Sequence, residues 1–233
     1  MTGLYEALTL TLQKRFLEKI GRPEAWNWTP IQLNQDQQVN EIFGHLEVIA
    51  WTGMQERQLA FSFNTPTMEK ILDQVLSWEE NLRHIHISGF LQSTQDSEDI
   101  LANEYSFLHL TFQEFFAARY LARLLQNNQV EAAPLLQKVK FDPRYKVVMW
   151  FTAGLLRNEG GDFHSLNVFF ETLDSPKDLV GLYGTLLKIR CLEECGWQKK
   201  LQKIKFYEEK IGFWLEKIDL KKWRDPILKH LVG

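Results

Sequence analysis

Tyr105-Ser-Phe-Leu-His-Leu-Thr-Phe-Gln-Glu-Phe-Phe-Ala-Ala118 decides how this 233-residue chain is read. Tyr105 to His109 alternates aromatic and smaller residues, as a short strand does. From Phe112 onward, Phe112, Phe115, Phe116 and Tyr120 recur at helical spacing, and Ala117 and Ala118 leave room for a close neighbour. Thr111 with Glu114 three residues later has the form of a capping box, and Leu110 with Phe115 that of a hydrophobic staple. The expected strand therefore ends near Leu108 and the helix starts at Phe112. His109 is left at the junction, rigidly placed.

Working outward, Ser88-Gly-Phe-Leu91 is short and apolar and residues 92–103 are polar. This predicts two short strands joined by a polar hairpin tip. Toward the N-terminus, Leu4, Leu8, Leu12, Phe16 and Ile20 recur at about one helical turn. Gly21, Pro23 and Pro30 break the pattern over residues 20–34, and Trp26 and Trp28 are expected to fold back onto the core. Asp36 or Asn34 can cap a second helix carrying Val39, Ile42, Phe43, Leu46, Ile49 and Ala50. A third is expected from Thr65-Pro66, with Met68, Ile71, Leu72, Val75 and Leu76 as its apolar face. Helices, a small hairpin and a further helix make a winged-helix arrangement. Beyond Leu125 the chain is helical, punctuated at Pro134, Pro143, Gly160-Gly161, Pro176 and Gly196, in pieces suited to stacked helical hairpins. The expected fold is mainly α: a winged-helix unit with a two-stranded wing, followed by a superhelical domain of helical hairpins. Its regions are 1–34 (helix and linker), 35–125 (winged helix) and 126–233 (C-terminal helical domain).

The stretch 105–118 resembles the C-terminal edge of the NACHT module of STAND-type NTPases, including the nucleotide-binding leucine-rich-repeat receptors and many bacterial relatives. Leu4-Tyr-Glu-Ala7 resembles the end of the helical domain after the NTPase core, and Ser88-Gly-Phe-Leu91 the winged-helix strand before the motif. Residues 145–156 and 179–196 look like helical segments that follow it in some bacterial members. The resemblance implies that His109 reaches the β-phosphate of ADP bound in the core and holds the protein closed. Phe107, Thr111, Phe112, Gln113, Glu114 and Phe115 are then the motif residues that place it. An imidazole donor suits a phosphate. Exchange of ADP for ATP changes what the ring faces and biases a closed-to-open equilibrium.

The chain departs from the family in carrying no G-x-x-x-x-G-K-[ST] sequence and no acidic strand end for a metal-activated water. The expectation is a non-catalytic regulatory and protein-interaction arm. It would carry no cofactor of its own, with ADP or ATP present only where a NACHT core is supplied. The alternative is a stand-alone helical adaptor or effector that binds partner proteins.

Other features are less specific. Net charge is -3, and 10 basic against 5 acidic residues fall within 196–233. A basic end on an acidic body suits an acidic partner surface or solvated lysine faces. Arg119 and Arg123 are a thin footprint for DNA, so no nucleic-acid partner is expected. The Lys-rich stretch 199–222 carries Leu201, Ile204, Ile211, Trp214, Leu215 and Ile218 at helical spacing. It suits core packing ahead of a partner helix or a membrane surface. His84 and His86 would share a face on a strand, yet no third metal ligand is near. His45, His164 and His230 stand alone, and Glu79-Glu80 and Glu193-Glu194 read as solvated helix faces. Cys191 and Cys195 lie one helical turn apart, where a disulfide would constrain little. Two cysteines and no secretory signal suggest a reducing cytoplasm, of the producing cell or of a host.

Overall fold

The computed structural model describes residues 1–62, 65, 78–93, 103–157, 163–175, 181–196, 205–206, 209 and 212–213. Its helices are α1 (Thr2–Lys19), α2 (Pro30–Gln35), α3 (Gln37–Glu56), α4 (Trp78–Ile87), α5 (Leu110–Asn127), α6 (Gln129–Val139), α7 (Lys146–Leu156), α8 (His164–Asp174) and α9 (Gly181–Glu194). Three short strands, β1 (Ala60–Ser62), β2 (Leu91–Ser93) and β3 (Glu104–Phe107), form an antiparallel sheet in the order β1-β3-β2. The β2–β3 hairpin was expected and β1 was not. In three residues, Phe61 is the one strong strand former, and it pairs opposite Tyr105. The expected helix from Thr65-Pro66, most of the hairpin tip and nearly all of the Lys-rich stretch 199–222 lie outside the described residues. No described helix is long and apolar enough to cross a membrane.

Helix α5 is the hub. It packs on α3, α6, α7, α8 and β3. Phe115, Phe116, Ala117, Ala118, Leu121 and Leu125 are fully buried along it. Helix α3 packs as expected: Asp36 caps it by accepting the Val39 amide at 3.0 Å, and all six predicted apolar positions are buried.

Helix α1 departs from expectation. Thr2, Thr9, Gln13, Phe16 and Leu17 are buried, whereas Leu4 and Leu8 are 63% and 40% exposed. Residues spaced by four advance about 40° more than a full turn at each step, so the leucine stripe spirals away from the core side that holds Phe16. Stepping back from Phe16 at 3.6 residues per turn passes near Gln13, Thr9, Tyr5 and Thr2, the face that is turned inward.

Several punctuation marks also act otherwise than expected. Pro23 and Pro30 open short helical segments, with Thr29 and Gln32 forming a capping box on α2. Pro134 lies inside α6, and the break falls at Asn128, whose side chain caps α6. Trp28 packs under Arg22 at 4.9 Å, but Trp26 stays exposed. His84 and His86 lie on α4, where two residues of separation put them on opposite sides, so the shared metal-binding face is absent. They pack edge-on against Phe16 and Tyr105 at 5.8 and 5.9 Å.

The chain closes on itself at the start of α1. The Thr2 amide and hydroxyl donate to Glu194 Oε2 at 2.9 and 2.6 Å, so Glu194 is a clamp rather than a solvated residue. Thr2 also packs on Gly154 of α7, where a Cβ would overlap its side chain. Gly154→Ala is therefore expected to destabilise the fold. Overlap costs about 1–3 kcal/mol, offset by up to about 1 kcal/mol of helix propensity. A urea midpoint that stays level or rises would contradict this packing.

Candidate functional site

The strand-to-helix junction differs from the expected capping box. Helix α5 begins at Leu110 and its N-cap is His109. The ring Nδ1 accepts the Thr111 amide at 3.2 Å and meets the Thr111 hydroxyl at 2.5 Å. Tyr5 donates its own hydroxyl to Thr111 Oγ1 at 2.7 Å. Because Nδ1 accepts from the amide, it carries no proton, and in the neutral ring the proton sits on Nε2. Thr111 therefore donates to Nδ1 and receives from Tyr5. The relay Tyr5–Thr111–His109 fixes both the ring and its tautomer. The ring is exposed, and among the described residues Nε2 makes no hydrogen bond. The junction thus presents one oriented N–H donor outward.

The motif residues divide around it. Phe107 and Phe116 stack at 5.9 Å, and Phe112 meets Tyr5 and Phe90 edge-on at 5.2 and 5.5 Å. Phe115 is fully buried against Phe151 at 5.2 Å. Gln113 donates to the Gln58 carbonyl at 3.0 Å, in space that a Cβ on Gly53 would fill. Leu110 is 47% exposed and makes no staple, and Leu108 beside His109 is 48% exposed. Tyr5 brings α1 to the same junction, with Leu4 and Leu8 facing outward beside it.

Glu114, the expected partner of the capping box, instead lines a cleft of about 260 Å³ with residues of the α3 C-terminus and with Pro143 and Arg144. Burial pushes its carboxyl up to about 7, against an opposing pull from Lys146. Nothing in the sequence joins these segments, so the cleft was not foreseen.

The remaining candidates are structural. Arg119 Nε bonds the buried Glu47 Oε1 at 3.0 Å, and Arg123 pairs with Glu47 Oε2 at 3.0 Å without hydrogen-bond alignment. Cys191 and Cys195 are buried and not joined in a disulfide, the Cys195 thiol donates to the Leu192 carbonyl at 3.3 Å, and burial raises the Cys191 thiol. Burial lowers the His45 ring, whose Nδ1 has no hydrogen-bond partner among the described residues. His164 starts α8 in an exposed position, and His230 lies outside the described residues. Among the described residues no group of His, Cys, Asp or Glu is placed to hold a metal ion. No family model matches the chain, and no curated protein matches it.

Two measurements test this geometry. Nitrogen-15 NMR of the neutral His109 ring is expected to show the proton on Nε2. Thr111→Val, which removes the hydroxyl but keeps the backbone amide donor, should raise the Nδ1-protonated fraction without abolishing the Nε2 preference. A proton on Nδ1 in the parent protein would contradict the relay. For Glu114, a carboxyl raised in the folded state binds more protons than in the unfolded chain. Stability therefore falls as pH rises from about 5 to about 8. Glu114→Gln, which keeps the neutral shape, should gain on the parent protein over that range. A stability difference that does not change with pH would contradict the burial.

Proposed function

We propose that this chain is a non-catalytic regulatory and protein-interaction arm of the kind that follows the NTPase core in NACHT proteins. His109 would read the nucleotide held by that core. The observation that carries the reading is the outward Nε2–H of His109, held by Thr111 and Tyr5 at a junction flanked by exposed leucines. A preset donor costs little ordering when it meets a phosphate oxygen. Leu4, Leu8, Leu108 and Leu110 are the apolar contacts a docking core would cover.

The order α3, β1, α4, β2, β3 and the sheet order β1-β3-β2 support a winged-helix unit. Helices α6 to α9 support a following domain of helical hairpins, with α8 packed on α6 and α9 on α7. Within this scheme α5 couples the two, so a change at its N-cap would be felt by both. Arg119 and Arg123 are already engaged by Glu47, which leaves them less available to DNA phosphates.

The stand-alone adaptor is the second reading, and the same exposed leucines favour it. There a partner protein would cover them and no nucleotide would be involved. The two part at His109. In a preparation of the arm joined to its core, His109→Ala is expected to leave folding intact. It should weaken ADP retention about ten- to a hundredfold, the scale of one hydrogen bond to a charged group. Equal ADP retention by parent and variant would remove the sensor role.

A further inference from the structure

The cleft beside α5 has a composition that the sensor role does not use. One wall is apolar, formed by Met54, Leu59 and Leu110. Gln58 lines it with a buried Oε1 that has no hydrogen-bond partner among the described residues. The Glu114 side chain also lines it; the residue is 8% exposed, and no hydrogen bond to another described residue holds its carboxyl. Buried polar groups are ordinarily paired, so two open ones in a single cleft call for a ligand with matching polar atoms.

The charges narrow its class. Arg144 is engaged by Asp142, to which its Nε donates at 3.0 and 3.1 Å. Arg57 has no ion pair among the described residues. It occupies the left-handed region at φ 61°, a position that favours glycine, at the C-cap of α3 and the rim of the cleft. A cationic ligand would meet Arg57 and Arg144, which both line the cleft. A bare phosphate would leave the apolar wall unused and would set more negative charge beside Glu114 than a single carboxylate does. About 260 Å³ is below the roughly 300–1,000 Å³ of a whole small-molecule site, and suits one terminal residue.

We propose that this cleft captures the carboxyl end of a polypeptide whose last residue is apolar. Arg57 takes the terminal carboxylate, Gln58 Oε1 accepts the last amide N–H, and Met54, Leu59 and Leu110 hold the side chain. Glu114, when protonated, donates to the second carboxylate oxygen. Each open polar group then has a partner, and the apolar wall is covered.

The probes are acetyl-Gly-Gly-Leu as the free acid, the same peptide as its C-terminal amide, acetyl-Gly-Gly-Gly, and inorganic phosphate. Each is titrated into the protein near pH 6 and followed by amide chemical shifts of the cleft residues. The free acid is expected to bind at millimolar concentration, with the amide and the glycine peptide at least about tenfold weaker. Arg57→Asn keeps a residue that tolerates left-handed backbone and should abolish the preference for acid over amide. The proposal is overturned if the free acid does not bind, if the amide binds equally, or if phosphate shifts the same residues as strongly. None of these outcomes bears on ADP retention through His109.

Discussion

Two adjacent phenylalanines that cannot share a helix face hold this structure together. Phe115 and Phe116 point about 100° apart on α5. Phe116 enters the sheet side, 4.7 Å from Phe90 and 6.0 Å from Phe43. Phe115 enters the helical side, beside Phe151 and 5.6 Å from Tyr5. Both are fully buried, so each stabilises by about 1.5–3 kcal/mol from area alone. With Ala117 and Ala118 also buried, α5 can neither rotate nor slide without breaking contacts on both sides.

That rigidity reaches the candidate site directly. The α5 N-cap cannot move while Phe112, Phe115 and Phe116 are seated, so His109 stands at a defined place on the surface. Tyr5 adds a second constraint, because it rests on the Phe112, Phe115 and Phe151 rings while its hydroxyl bonds Thr111. A core aromatic cluster thereby orients an exposed imidazole through two hydrogen bonds. The arrangement needs no strained backbone at the histidine, which sits in extended geometry at φ -152°.

Local chemistry was legible where one segment decides the outcome. The Asp36 cap and the apolar stripe of α3 could be read because both lie within one helix. The β2–β3 hairpin showed through its alternation, and His109 through its junction. The capping box failed because the Thr111 hydroxyl is claimed by His109 and Tyr5, the latter 106 residues away. Without that hydroxyl Glu114 has no reciprocal partner and turns into the cleft. The inward face of α1 was misread because spacing by four resembles 3.6 over one turn but not over four. The cleft was invisible because α3, α5 and the turn at Pro143 meet only in three dimensions.

The proposal that the chain works as the arm of an NTPase rests on an outward donor and uncovered leucines. The most direct measurement is to sequence the DNA upstream of the Met1 codon and translate it in frame. The account predicts a continuous reading frame containing a phosphate-binding loop, whose core would place ADP against His109. A stop codon in that frame with no such loop would contradict it, and would leave the exposed leucines to a separate protein partner.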